Sequence, residues 1–91
     1  MTVTVRYAAQ ARQASGVAAE ELALSPGAAI AELLKAAATK HEALRPLVLD
    51  TNGKPHRALL LFVNDEQAFA GSAVVLKNGD IVEIMTPISG G

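Results

Sequence analysis

Asp80-Ile81-Val82-Glu83-Ile84-Met85-Thr86-Pro87-Ile88-Ser89-Gly90-Gly91 is the run on which the reading of this chain turns. Val82 and Ile84 alternate with Ile81, Glu83 and Met85, the pattern of a strand with one buried face. A tight turn, Lys77-Asn78-Gly79-Asp80, delivers that strand. A tail from Thr86 then leads to two glycines. Glycine lacks a Cβ, so such an end can thread a narrow channel and leaves its carboxylate sterically bare. Extended, residues 86–91 span at most roughly 20 Å, enough to enter a partner's active site while the domain stays outside. A bare carboxylate is a chemical handle: adenylated with ATP, it becomes an acyl donor to a sulfur or amine nucleophile. Gly90-Gly91 alone also fits an accidental flexible end, so the rest of the chain has to decide.

Working outward, residues 2–7 alternate without a break, with Val3, Val5 and Tyr7 on one face. Residues 8–14 are rich in alanine and glutamine and predict a turn or two of helix, stopped at Ser15-Gly16. Residues 20–24 predict a second strand, with Leu22 and Leu24 inward, antiparallel to the first because the link is short. After the Ser25-Pro26-Gly27 turn the period changes. Ile30, Leu33, Leu34, Ala37, Ala38 and His41 recur at three- and four-residue spacing, an amphipathic helix over 29–41. Ala29 is a poor N-cap. Residues 42–47 predict a further helical turn, and residues 50–55 a loop or small hairpin about Asn52-Gly53.

Residues 57–63 predict a strand that is apolar on both faces, Leu59, Leu61 and Val63 toward the helix and Leu60 and Phe62 away from it. Asn64-Asp65 turns the chain into a short strand at 66–68, and residues 69–76 are irregular. The order β-β-α-β-β-β, with the first and last strands parallel at the centre, is an α+β fold. It is the β-grasp (ubiquitin-like) architecture, a mixed sheet with one main helix across one face. The domain occupies 1–85, and 86–91 form a flexible C-terminal tail.

Composition narrows the function. The chain has 91 residues, room for one core, and aromatics make up only 3% of it, so Leu, Val and Ile must build that core. A net charge of −1 with scattered basic residues argues against nucleic acid. Without cysteine the chain has no disulfide, thiolate metal site or thiol nucleophile. Any sulfur chemistry falls to a backbone carboxyl or to a partner. His41 and His56 have no third ligand in regular spacing, which argues against zinc, and His41 reads as a cap for the helix dipole. Gly71 and Gly79 are turn glycines outside any phosphate loop. The serines sit in turns or tail, so no Ser-His-acid set is arguable. No leader-like segment or membrane-length apolar run is present, and a cytoplasmic location is expected.

The sequence resembles the ubiquitin-like sulfur carriers of the MoaD/ThiS type along essentially its whole length. The resemblance is carried by Val5-Arg6-Tyr7-Ala8-Ala9-Gln10-Ala11-Arg12, Ser25-Pro26-Gly27 leading to Ala31-Glu32-Leu33-Leu34, Phe62-Val63-Asn64-Asp65-Glu66, and above all residues 76–91. It implies that the terminal glycine, Gly91, is adenylated by an E1-like enzyme and converted to a thiocarboxylate, with Gly90 as the slim approach. Thr86, Pro87, Ile88 and Ser89 would be the threading tail. The chain would bind no cofactor itself, ATP being consumed by the activating enzyme, and would be a carrier or cosubstrate, not an enzyme. The Asn64-Asp65-Glu66 turn and the Phe69-Ala70-Gly71-Ser72 insertion look most like the branch that feeds sulfur to cysteine synthesis. Many relatives have a second proline where Thr86 stands, which implies a less stiff tail here.

Leu60, Phe62 and Met85 fall on the sheet face away from the helix, where an apolar group marks a partner surface. The alternative is that residues 42–56 fold back over them. The implied partners are the E1-like adenylyltransferase/sulfurtransferase and a sulfur-accepting enzyme, cysteine synthase-like or the large subunit of molybdopterin synthase. No nucleic acid or membrane is expected, and the free chain is expected to be a monomer. A small subunit of molybdopterin synthase, a protein modifier joined through Gly91 to lysines, and an interaction module with an accidental Gly90-Gly91 stay open as alternatives.

Overall fold

The first and last strands meet at the centre of one sheet. In the computed structural model, which describes residues 1–69 and 74–86, β1 (Thr2–Ala9) runs parallel to β5 (Ile81–Thr86). Their register runs from Thr4 opposite Ile81 to Ala9 opposite Thr86. β2 (Ala19–Ala23) adds antiparallel to β1, while β3 (Leu60–Val63) and β4 (Glu66–Ala68) complete the other side. The order is β2-β1-β5-β3-β4, a mixed five-stranded sheet.

One face of it is the core. Val3, Val5 and Tyr7 of β1, Leu22 of β2, Leu61 of β3 and Val82 and Ile84 of β5 point to that side and are buried. Helix α2 (Ile30–Lys40) covers them with Ile30, Leu33, Leu34, Ala37 and Ala38, the apolar stripe that its 3.6-residue period dictates. Ala29 gives no side-chain cap, as expected from its residue type. A 3₁₀ turn (Glu42–Leu44) and a short helix α3 (Arg45–Val48) then bury Leu44, Val48 and Leu49 in the same core. Segment 42–56 therefore packs on the helix side and leaves the other sheet face open. Its end is the expected small hairpin: Leu49 bridges Pro55, and Gly53, at φ 77, donates its N–H to the Asp50 carbonyl.

Boundaries moved where local bonds compete with the ladder. β3 begins at Leu60, not at 57, because His56 captures the chain before it. Its Nδ1 accepts the Ala58 N–H at 3.1 Å, and its carbonyl accepts that of Leu59. β1 runs on to Ala9 because Thr86 still supplies a partner there, so helix α1 covers Gln10–Ser15 and stops at Gly16, φ 79. In the β3–β4 hairpin both turn residues, Asn64 (φ 51) and Asp65 (φ 70), take the left-handed backbone that a two-residue turn requires. The Lys77–Asp80 turn is locked to this hairpin. Asn64 Nδ2 donates to Asp80 Oδ1 at 3.0 Å, and Asn64 Oδ1 accepts the Ile81 N–H at 2.9 Å. Two motifs that carry the family resemblance are thus one hydrogen-bonded unit at the start of β5.

Candidate functional site

β5 is hydrogen-bonded on both sides, to β1 and to β3, so its C-terminal end is held by the best-supported part of the sheet. Here the structure corrects the expected tail boundary. Thr86 is the last residue of β5, is 2% exposed, and its Oγ1 accepts the Ala11 N–H at 3.1 Å. It belongs to the domain and not to a threading tail, because a buried first-turn N–H of α1 needs an acceptor and this hydroxyl is the one placed to serve. Pro87, Ile88, Ser89, Gly90 and Gly91 lie outside the described residues, as do Ala70, Gly71 and Ser72 of the expected insertion.

Ala9 sits opposite Thr86 in the ladder with φ 58 and ψ −130, an unusual backbone for alanine. This bend turns β1 directly into α1 and brings Ala11 against β5. Neither Ala9 nor Ala11 was flagged by sequence pattern. An alanine in that conformation leaves no mark in the chain, since glycine or asparagine would be the usual signal.

The open sheet face carries the three expected apolar residues together. Leu60 and Met85 are directly opposite in the β3–β5 register, and Phe62 lies two residues along on the same face. Leu60 is exposed at 38%, while Phe62 and Met85 are half-buried. Ala8, opposite Met85, extends the patch, and Ile81, exposed at 42%, lies farther along the same face. Sequence reading passed over both, although Ile81 alternates with Val82 in the same run. A polar row crosses the face, with Glu83 between Arg6 and Phe62 in register. Leu60, Met85, Ala8 and Phe62 therefore form one apolar group beside the end of β5, bordered by Glu83 and Arg6, with Ile81 on the far side of that polar row.

On the helix side lies a polar cluster that the sequence reading did not anticipate. Glu20 of β2, its side chain only 11% exposed, receives the Tyr7 hydroxyl at 2.6 Å and Lys40 Nζ at 2.9 Å, with His41 Nε2 at 2.7 Å. The His41 ring thus serves Glu20, while its backbone N–H bonds the Ala37 carbonyl at the helix end. A dipole cap is only part of its role. The signal was present: Tyr7, Glu20 and His41 each occupy an inward position of their own element. Among the described residues no group of His, Cys, Asp or Glu is placed to hold a metal, and no helix is long and apolar enough to cross a membrane.

The sequence matches the ThiS family over residues 5–91. The chain belongs to the ThiS family. The ThiS match runs through Gly91, so the expected resemblance to the MoaD/ThiS ubiquitin-like sulfur carriers holds over nearly the whole chain. Among solved structures, SAMP1 from Haloferax volcanii superposes with a TM-score of 0.87 at 22% identity, each chain covered in full. A putative molybdopterin converting factor, subunit 1, from Pyrococcus furiosus gives 0.78 at 26%, covering 97% of this chain and 99% of the other. A chain of the Amycolatopsis orientalis BexX/CysO complex gives 0.69 at 23%, covering 98% and 99%. No curated protein sequence matches significantly. These neighbours share the β-grasp fold, as the sheet order requires. Next to the end of β5 the described structure places two features, the buried Thr86 and the open apolar face.

Proposed function

We propose that this chain is a sulfur carrier whose Gly91 carboxylate is adenylated by an E1-like enzyme and converted to a thiocarboxylate. The observation that carries the reading is that the family match extends through Gly91 while the strand leading to it is the central, doubly paired strand of the sheet. In the first step a carboxylate oxygen attacks the α-phosphorus of ATP and pyrophosphate leaves. In the second a sulfur nucleophile at the sulfide level attacks the acyl carbon and AMP leaves. ATP is bound and consumed by the partner. The carrier supplies the carboxylate on Gly90-Gly91, a segment slim enough for a narrow channel, and a docking face of Leu60, Phe62 and Met85. Catalysis of both steps rests with the adenylyltransferase/sulfurtransferase, and a second enzyme accepts the sulfur.

The Asn64-Asp65-Glu66 turn and the Phe69-Ala70-Gly71-Ser72 segment support cysteine synthesis as the destination. One neighbour supports another use of the same tail. The Pyrococcus furiosus chain, at 26% identity, supports a place as the small subunit of molybdopterin synthase; the superposition on SAMP1, at 22% identity, speaks for the shared fold alone, and a protein modifier stays as an alternative reading. The deciding experiment is intact mass spectrometry after coexpression with an E1-like enzyme and a sulfur donor. The mass gain of one oxygen replaced by sulfur at Gly91 is expected. Unchanged mass together with isopeptide conjugates on lysines would replace the carrier reading by the modifier one, and a stably copurifying large subunit would favour the synthase.

A further inference from the structure

Thr86 combines three properties that burial alone does not require. It ends the central strand, its hydroxyl oxygen bonds the Ala11 N–H from 75 residues away, and it faces a strained residue, Ala9, in the ladder. An alanine at φ 58 persists only where its surroundings over-determine it. Here they do: the bend hands β1 to α1 so that Ala11 presents its N–H to the Thr86 hydroxyl. The end of β5 is thus held from β1, through Ala9, and from α1, through Ala11.

We infer that Thr86 is a positioning residue: locked to Ala11, it fixes where and in what direction the chain leaves the sheet, and so the starting point from which the Gly91 carboxylate is presented. The role rests on the carrier reading. A reacting group held on a short segment gains its rate advantage from restricted geometry, and every residue loosened at the root adds conformers that the reactive complex must remove. Threonine can close the root because it offers an acceptor; valine, with nearly the same shape, cannot.

The test compares wild type, Thr86→Val and Thr86→Ser by amide hydrogen exchange at Ala11 and by ATP-pyrophosphate exchange with the E1-like enzyme from the same source. In Thr86→Val the Ala11 amide should exchange faster and kcat should fall by about tenfold or more. KM for the carrier should hold, because Leu60, Phe62 and Met85 are untouched. Thr86→Ser should restore both exchange protection and kcat. Faster Ala11 exchange with an unchanged kcat overturns the inference and leaves a purely structural bond. Should Thr86→Val not fold, Thr86→Ala carries the test: it removes the acceptor for the Ala11 N–H without placing a branched apolar group at the site. A lower kcat at a temperature where the variant is fully folded supports the role, and an unchanged kcat overturns it. Wild type that is not adenylated at all overturns the carrier reading and this role with it; wild type and Thr86→Val adenylated alike overturn this role alone.

Discussion

Tyr7 and His41 stand edge to face, ring centroids 6.0 Å apart at 87°, and both reach one carboxylate oxygen, Glu20 Oε2. Three elements, β1, β2 and the end of α2, are thereby pinned at one point. Burial pushes the Glu20 carboxyl up, but hydrogen bonds from Tyr7, Lys40 and His41 outweigh it and hold the group below the usual carboxylate range. Burial, then the hydrogen bond and negative charge of Glu20, push the Tyr7 phenol far above its ordinary value.

The two shifts set opposite limits on stability. Glu20 contributes fully above its unfolded pKa of about 4.3, and the contribution is lost as pH falls through its lower folded value. Tyr7 contributes fully below an unfolded pKa of about 10 and loses that contribution as pH rises beyond it. Urea melts of wild type and Tyr7→Phe should differ by about 1.5–3 kcal/mol near neutral pH, with the difference closing on the alkaline side. Glu20→Gln should flatten the acid limb. Parallel pH profiles for all three proteins would remove the cluster from the stability account.

Asn64→Ala should cost about 1–2 kcal/mol, since it deletes both bonds to the 80–81 backbone and side chain and places a Cβ residue at φ 51 with no local compensation. Asn64→Gly keeps the backbone conformation at ease and should cost about half as much. Equal losses in chemical denaturation would mean that backbone conformation contributes nothing at this turn.

The strand phases were legible in the chain because period 2 in β1 and β5, and period 3.6 in α2, each name their buried face. Ile84 and Glu83 test that reading. Ile84, fully buried, should lose about 2–4 kcal/mol as alanine, whereas Glu83→Ala should stay within about 0.5 kcal/mol. What the pattern could not give was anything made by pairs of residues distant in sequence. The Thr86–Ala11 bond and the Glu20 cluster need the parallel β1–β5 pairing and the seat of α2 before either exists. The start of β3 was misplaced for the same kind of reason: His56 outbids the ladder for Ala58 and Leu59, a choice invisible in their apolar side chains.

Leu60 is the cleanest probe of the open face because it is the most exposed of the three apolar residues. Leu60→Asp should leave the melting temperature nearly unchanged while raising KM for the activating enzyme by about tenfold or more, since a charge desolvated in an apolar contact is costly. An unaltered KM would move the docking surface elsewhere, and a collapse in stability would return Leu60 to the core.

Gly91 decides whether the domain is a handle and the terminal carboxylate the reagent. Deleting Gly91 leaves a chemically similar carboxylate on Gly90, but one residue, about 3.5 Å, short of its place. Displacement of that size should forfeit most of the advantage of positioning, which reaches about 7–11 kcal/mol in well-oriented reactions. Appending one alanine after Gly91 should be as damaging, because a Cβ enters the channel and the carboxylate overshoots. Neither change alters a residue of the hydrophobic core of the described residues, so both proteins should melt with wild type. Loss of ATP-pyrophosphate exchange at unchanged melting temperature can therefore only be a loss of reach or fit at the chain's end. Full adenylation of either variant by the E1-like enzyme, read as pyrophosphate exchange and then as intact mass, would show that the position of Gly91 is not what the reaction reads, and the chain would be left as a plain interaction module.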